Sequence, residues 1–233
     1  MRIIPRRLAI TVAAGVGSLL LANGAAAQDN TVLTLLHFND GESEVLPVDD
    51  AGGAARFIRK MDLLRDEANK DGAVITLSSG DNYLAGPRFN ANLSLPDNQP
   101  YYDTLAIVHS RVDALAIGNH EFDFGPDVFA RVAAPLRNRP YLSANLDFSG
   151  EPALQRLVDA GQIARSTVIT RRGMEIGVIG ATTPRLSFIS SPGKVVVDPD
   201  VIGAVQVPAP AVFSLGFLAL IGLRLLVPLT RTK

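Results

Sequence analysis

The chain has 233 residues, of which 47% are hydrophobic, 19% charged and none cysteine. Disulfides, thiolate metal sites and cysteine nucleophiles are therefore excluded, and an ordinary apolar core must carry the stability. The formal net charge of −1 hides an asymmetry, because the stretch from Gln28 to Gln206 holds sixteen Lys and Arg against 23 Asp and Glu, a net of −7. That balance excludes nucleic acid as a natural partner, since such binding rests on basic residues placed at phosphates.

In chain order, residues 1–27 open with Arg2, Arg6 and Arg7, run through an apolar stretch from Leu8 to Ala22 and close on Ala25-Ala26-Ala27. A basic start, a short apolar middle and an A-x-A site read as a signal peptide, with the mature chain starting near Gln28. The alternative, an uncleaved anchor, is disfavoured by the shortness of the apolar stretch. Arg6-Arg7 fits the twin-arginine route, and a plain basic leader as well.

Residues 28–200 read as an α/β body. Three apolar runs, Val32–Leu36, Val74–Leu77 and Ala114–Ile117, have the character of buried strands in a parallel sheet. Each closes on a polar cluster: Asn39-Asp40-Gly41-Glu42, Gly80-Asp81-Asn82, and Gly118-Asn119-His120-Glu121-Phe122-Asp123. Loops at the carboxyl ends of neighbouring parallel strands converge on one crevice. Between the strands, the spacing of Phe57, Met61 and Leu64 predicts a helix over Ala54–Ala68. Pro87–Pro100, rich in Asn and Pro, reads as a long loop. Helices are expected over Tyr101–Ser110 and, opened by its proline, Pro126–Arg137. Tyr141–Ala144 reads as a fourth strand, and Ile163–Thr170 with Glu175–Ala181 as a hairpin across Arg171-Arg172-Gly173.

After Asp200 the composition changes. Val207-Pro208-Ala209-Pro210 precedes an apolar run from Ala211 to Leu229, interrupted by Arg224, and the chain ends on Arg231 and Lys233. As a helix, at about 1.5 Å per residue, that run would nearly match a bilayer core, with the basic end on the cytoplasmic side. The order of proline motif, short apolar span and basic terminus resembles a PEP-CTERM sorting signal, with alanine where that family has glutamate. The resemblance implies an exosortase-like sorting enzyme as partner and a place at the bacterial cell surface or on the periplasmic side. A plain C-terminal membrane anchor and a last core helix are the alternatives for residues 201–233.

Taken singly, Asp40, Glu42 and Asp81 are ordinary turn acids. His120 with Asp123 is sharper, because a carboxylate three residues on can fix the ring's tautomer and orientation. Together, each behind its strand, the clusters resemble the front part of a 5′-nucleotidase-type enzyme of the calcineurin-like metallophosphoesterases, from Thr31 to about Ser191. The matching stretches are Leu33–Asp40, Gly52–Arg56, Ser79–Asn82, Asp113–Asp123, Ser143–Leu146 and Gly177–Pro184. That resemblance implies an α/β/β/α sandwich, here its N-terminal half, and hydrolysis of phosphomonoesters such as nucleotides. It implies Asp40, Asp81 and Asn119 as metal ligands, His120 at the phosphoryl group and Asp123 orienting His120.

Two departures stand beside it. Glu42 occupies the place of the family's Asp-x-His histidine, and no histidine follows His120. Asp40, Glu42, Asp81 and Asn119 are few protein ligands for two ions, so one divalent cation (Mn, Mg, Zn or Ca) fits more easily than a pair. His37 and His109 read as structural. A catalytically inactive, surface-anchored remnant of the same fold is the competing reading.

Overall fold

The computed structural model describes residues 32–205 and 216–221. The elements run β1 (Leu33–Phe38), α1 (Ala54–Asp71), β2 (Ala73–Ser78), α2 (Pro87–Leu93), α3 (Tyr102–Ser110), β3 (Ala114–Ala116), a 3-10 turn (His120–Phe122) and α4 (Gly125–Ala133). They continue with β4 (Tyr141–Leu142), β5 (Leu146–Asp147), α5 (Pro152–Asp159), β6 (Ile163–Ala164), β7 (Ser166–Arg171), β8 (Met174–Ala181), α6 (Leu186–Ile189), β9 (Val196–Val197), α7 (Val201–Val205) and β10 (Gly216–Ile221).

Strands β1-β2-β3-β4-β6 form a parallel sheet in that order, with Leu35 opposite Ile75 and Leu77 opposite Ala114. A second sheet, β10-β8-β7, combines an antiparallel β7–β8 hairpin with a parallel β8–β10 pair, and β5 pairs with β9. Alternation along the strands sends side chains to two cores. Leu115, Ile117 and Tyr141 meet Phe129 and Val132 of α4 and Leu154 of α5 on the helical side. Ile75, Leu77, Ala114, Ala116 and Leu142 meet Ile169, Ile176 and Val178 between the sheets. Helix α1 belongs to the helical side, where buried Arg65 donates to Thr76 Oγ1 of β2 and to the Ser110 carbonyl.

Several expectations need correction. The run read as a buried first strand forms β1 at the edge of its sheet, with Leu33 and Leu35 37% and 40% exposed. By register they lie on the inter-sheet side with Ile75, but β7 packs against β2 and β8 against β3 and β4, leaving β1 uncovered by any described strand. The expected strand Ile163–Thr170 is two strands: Ile163–Ala164 completes the first sheet, and the chain crosses at exposed Arg165 into β7 of the second. Pro87–Pro100 is not all loop, because Pro87 opens the short helix α2, which buries Phe89 and Asn92. The expected first helix runs on to Asp71, and the helix opened by Pro126 stops at Ala133.

The tail also departs from expectation. Gly216–Ile221, placed inside an apolar helix by the sequence reading, is a strand in register with Ile176–Ala181. No helix among the described residues is long and apolar enough to cross a membrane. The expected signal peptide of residues 1–27 and the expected sorting motif Val207–Ala211 lie outside the described residues.

Candidate active site at the ends of three parallel strands

The carboxyl ends of β1, β2 and β3 are laced together by main-chain hydrogen bonds beyond the sheet itself. Asp40 N donates to the Gly80 carbonyl (3.2 Å), Glu42 N to Asp81 O (3.2 Å), and Ser43 N to Asn82 O (3.3 Å). To make these contacts the chain leaves the β region: Asp40, Glu42, Ser43 and Asp81 have φ of 52°, 47°, 59° and 54°. Left-handed geometry at non-glycine residues costs on the order of 1–3 kcal/mol each and concentrates where side chains must be aimed. Gly80, at φ 91°, is required by the turn, and a Cβ on it would lie 2.8 Å from the Ala116 carbonyl.

Asp81 sits at the centre. Its Oδ1 accepts from His120 N at 2.8 Å. Burial holds its carboxyl above the ordinary carboxylate range; the His120 main-chain bond and the His120 ring oppose this, and the Asp40 and Asp123 charges reinforce it. His120 Nδ1 lies 2.8 Å from Asp123 Oδ2. That carboxylate also accepts from Ala85 N (3.1 Å) and, through Oδ1, from Ser190 Oγ (3.2 Å). A carboxylate can only accept, so Nδ1 carries the donated hydrogen and Nε2 is the nitrogen left for other work. The 3-10 turn closed by Phe122 N to Asn119 O and Asp123 N to His120 O (both 3.1 Å) places His120 and Asp123 three residues apart on one side.

The remaining candidates are less fixed. Asp40 is exposed, and its side chain pairs only with its neighbour Asn39 among the described residues. Glu42 is half-buried and tied to Asp81 through its main chain, and Asn119 is half-buried at the mouth of the β3 loop. No group of three or more His, Asp or Glu side chains among the described residues is arranged to hold a metal ion. The donor chemistry nonetheless suits one hard cation: Asp81 carries an acid burdened by two neighbouring acids, and the oxygens of Asp40, Glu42 and Asn119 lie on the adjoining loops. His37, at the end of β1, hydrogen-bonds Ser79 Oγ at 2.8 Å, and burial pulls its pKa down. His109 is exposed on α3.

Sequence reasoning missed what holds this arrangement. Glu121, 1% exposed, places its carboxylate on the main-chain N–H groups of Gly118 (2.8 Å), Asp81 (3.0 Å) and Asn82 (3.3 Å). Burial, with the Asp81 charge beside it, pushes its pKa up to about 8 against the pull of those three donors. Behind β3, Asn145 accepts from Thr182 N (2.8 Å) and donates to Thr182 O (2.9 Å), while Thr182 Oγ donates to Ile117 O (2.8 Å). The stretches Ser143–Leu146 and Gly177–Pro184 thus brace the site from behind. Ser143, Asn145 and Thr182 are buried together in hydrogen bonds to one another.

No protein-family model matches the chain. A 5′-nucleotidase from Diplobatis ommata is 33% identical over 204 residues, 82% of this chain and 33% of that protein. The crystal structure of a 5′-nucleotidase precursor from Thermus thermophilus superposes with a TM-score of 0.58 at 32% identity, covering 71% of this chain and 32% of that one. The fold is that of the 5′-nucleotidase-type calcineurin-like phosphoesterases, over about 75–80% of the chain. A calcineurin-like phosphoesterase from Bacillus subtilis, 16% identical with a TM-score of 0.54 over 73% of this chain and 55% of its own, shares the fold alone. The chain spans about a third of the length of the curated relatives it matches.

Proposed function

We propose that this chain is a metal-dependent phosphomonoesterase acting on nucleotides. The observation that carries the reading is the His120–Asp123 pair beside half-buried Asp81, where the loops of three parallel strands meet. In its doubly protonated form the His120 ring presents an Nε2–H donor to a phosphoryl oxygen, and Asp123 keeps the ring from turning away. Asp40, Glu42, Asp81 and Asn119 are the residues that would hold a divalent cation of the Mn, Mg, Zn or Ca class. Such an ion supplies Lewis-acid charge at phosphoryl oxygens and activates water. The likeness to 5′-nucleotidases supports a nucleoside monophosphate as substrate. Export by the leader of residues 1–27 is part of the proposal and would show as a mature N-terminus near Gln28 in mass spectrometry.

The test is phosphate release from a nucleoside monophosphate by the full chain, with Mn, Mg, Zn and Ca added in turn. Cation-dependent release is expected, with at least a ~100-fold loss in His120→Ala, the scale of a positioned acid–base group, and loss in Asp81→Ala. No release from a folded sample with any of the four ions would sink the reading. So would undiminished release by both variants.

A further inference from the structure

The Glu121 carboxylate accepts three hydrogen bonds, as many as Asp123, and it faces inward. It is 1% exposed, and the three N–H groups it takes come from two loops: Asp81 and Asn82 after β2, and Gly118 after β3. Its own main chain is fastened from the other side, where the hydroxyl of Tyr83 donates to the Glu121 carbonyl at 2.6 Å. Tyr83 is fully buried and stacked on Phe89, with centroids 4.9 Å apart. Both ends of Glu121 are therefore anchored to parts of the chain about forty residues away in sequence. Gly118 is the only residue type that leaves room for this: a Cβ there would fall inside contact distance of Asp81 Oδ1 and 2.8 Å from Glu121 Oε2.

Three converging N–H donors form a concavity of the kind that elsewhere binds a phosphate. Here the concavity is filled from within by a side chain. Those donors are spent on Glu121 and are not available to a substrate, so its task is internal. Asp81, which supplies one of the donors and directly precedes another, also takes the His120 N–H. Fixing the main chain of Asp81 and Gly118 against one carboxylate consequently sets where Asp81 stands relative to Asn119 and His120.

We infer that Glu121 is a positioning residue: its buried carboxylate clamps the β2 and β3 loops together so that Asp81 and Asn119 are held ready for a divalent cation and His120 for a phosphoryl oxygen. This rests on the cation-binding part of the proposed function, but its test reads more than turnover. In the full chain with labelled glutamate, through-hydrogen-bond couplings should connect the amide nitrogens of Gly118, Asp81 and Asn82 to the Glu121 carboxylate carbon. Glu121→Gln, which sets an amide NH2 against N–H donors, should weaken Mn2+ binding at least tenfold, read by electron paramagnetic resonance of free Mn2+, in a chain that still melts cooperatively. Glu121→Asp keeps the carboxyl group but is one methylene short, and its Mn2+ affinity should fall between the two; it serves alone if the glutamine variant does not fold.

Absent couplings in the wild type, or Mn2+ affinity unchanged in both variants, would overturn the clamp while leaving phosphate release, and the proposed function, intact. A wild type that binds no Mn2+ yet shows the couplings would overturn the positioning role together with the cation reading, and would reduce Glu121 to a structural tie.

Discussion

The loops after β1 and β3 contribute to the same crevice but are built in opposite ways. From Gly118 to Asp123 nearly every polar group has a partner inside the molecule: the Gly118 amide, the His120 amide and ring, the Glu121 carboxylate and both Asp123 oxygens. From Asn39 to Glu42 the backbone is held, through main-chain bonds to Gly80 and Asp81, but the side chains are not. Asp40 is exposed beside Asn39, and three of the residues between Asp40 and Ser43 are left-handed. The histidine half of the site is thus pre-built, whereas the carboxylate half is fixed by its backbone alone, with Asp40 paired only to its neighbour. Pre-built groups cost no reorganisation when charge develops on a substrate.

The largest expected effect comes from breaking the pre-built half where it is tightest. Gly118→Ala inserts a methyl against Asp81 and Glu121. Overpacking of this kind costs about 1–3 kcal/mol, and here the neighbours are carboxyl groups that cannot swing away without giving up backbone hydrogen bonds. Denaturant unfolding should show that loss in the cation-free protein, and phosphate release should fall with it. Wild-type stability in this variant would mean that the loop yields easily and that the histidine half of the site is no more rigid than the loop after β1.

Asp40→Asn probes the other half and should give the opposite profile. Asp40 adds to the charge that keeps Asp81 from ionising, and its described side-chain contact is only to the adjacent residue. Removing its charge should therefore leave the cation-free melting temperature unchanged or slightly higher. Mn2+ affinity should drop about tenfold, equivalent to about 1.4 kcal/mol. A loss of stability without loss of Mn2+ affinity would assign Asp40 to the fold rather than to the ion.

This division also explains what could be read from the sequence. Asp40, Asp81, Asn119 and His120 were legible because each follows an apolar run that ends at the same edge of a parallel sheet, and topology alone brings such loops together. Asp123 was legible from its spacing to His120. Glu121 was not: an acid beside a histidine reads as solvated, and its burial depends on amide donors about forty residues away. Other misses have the same origin. The break at Arg165 follows from two sheets competing for one apolar run, which no local pattern reveals. The exposure of Leu33 and Leu35 depends on how far the second sheet extends over β1, a property of neither strand's own sequence.

The smallest predicted effect sharpens the comparison at the point where the looser loop is fastened to the core. Ser43 is buried, accepts from Leu84 N at 3.3 Å, and lies against Asp103, whose Oδ2 takes Asn92 Nδ2 at 2.6 Å. Burial raises the Asp103 pKa, against the hydrogen bond from Asn92. A carboxyl whose folded pKa is raised binds its proton more firmly in the native than in the unfolded chain. Stability from this group is therefore complete below the unfolded value of about 3.9 and falls as pH rises through the folded one. Asp103→Asn keeps an acceptor for Asn92 and removes the titration. Its stability relative to the wild type should accordingly rise from about pH 4 to about pH 7, the span in which ordinary carboxyls complete their ionisation. Thermal melts of the two proteins across that range decide it. A constant difference would show that Asp103 ionises without penalty and that the anchor under Ser43 is as open to water as the loop above it.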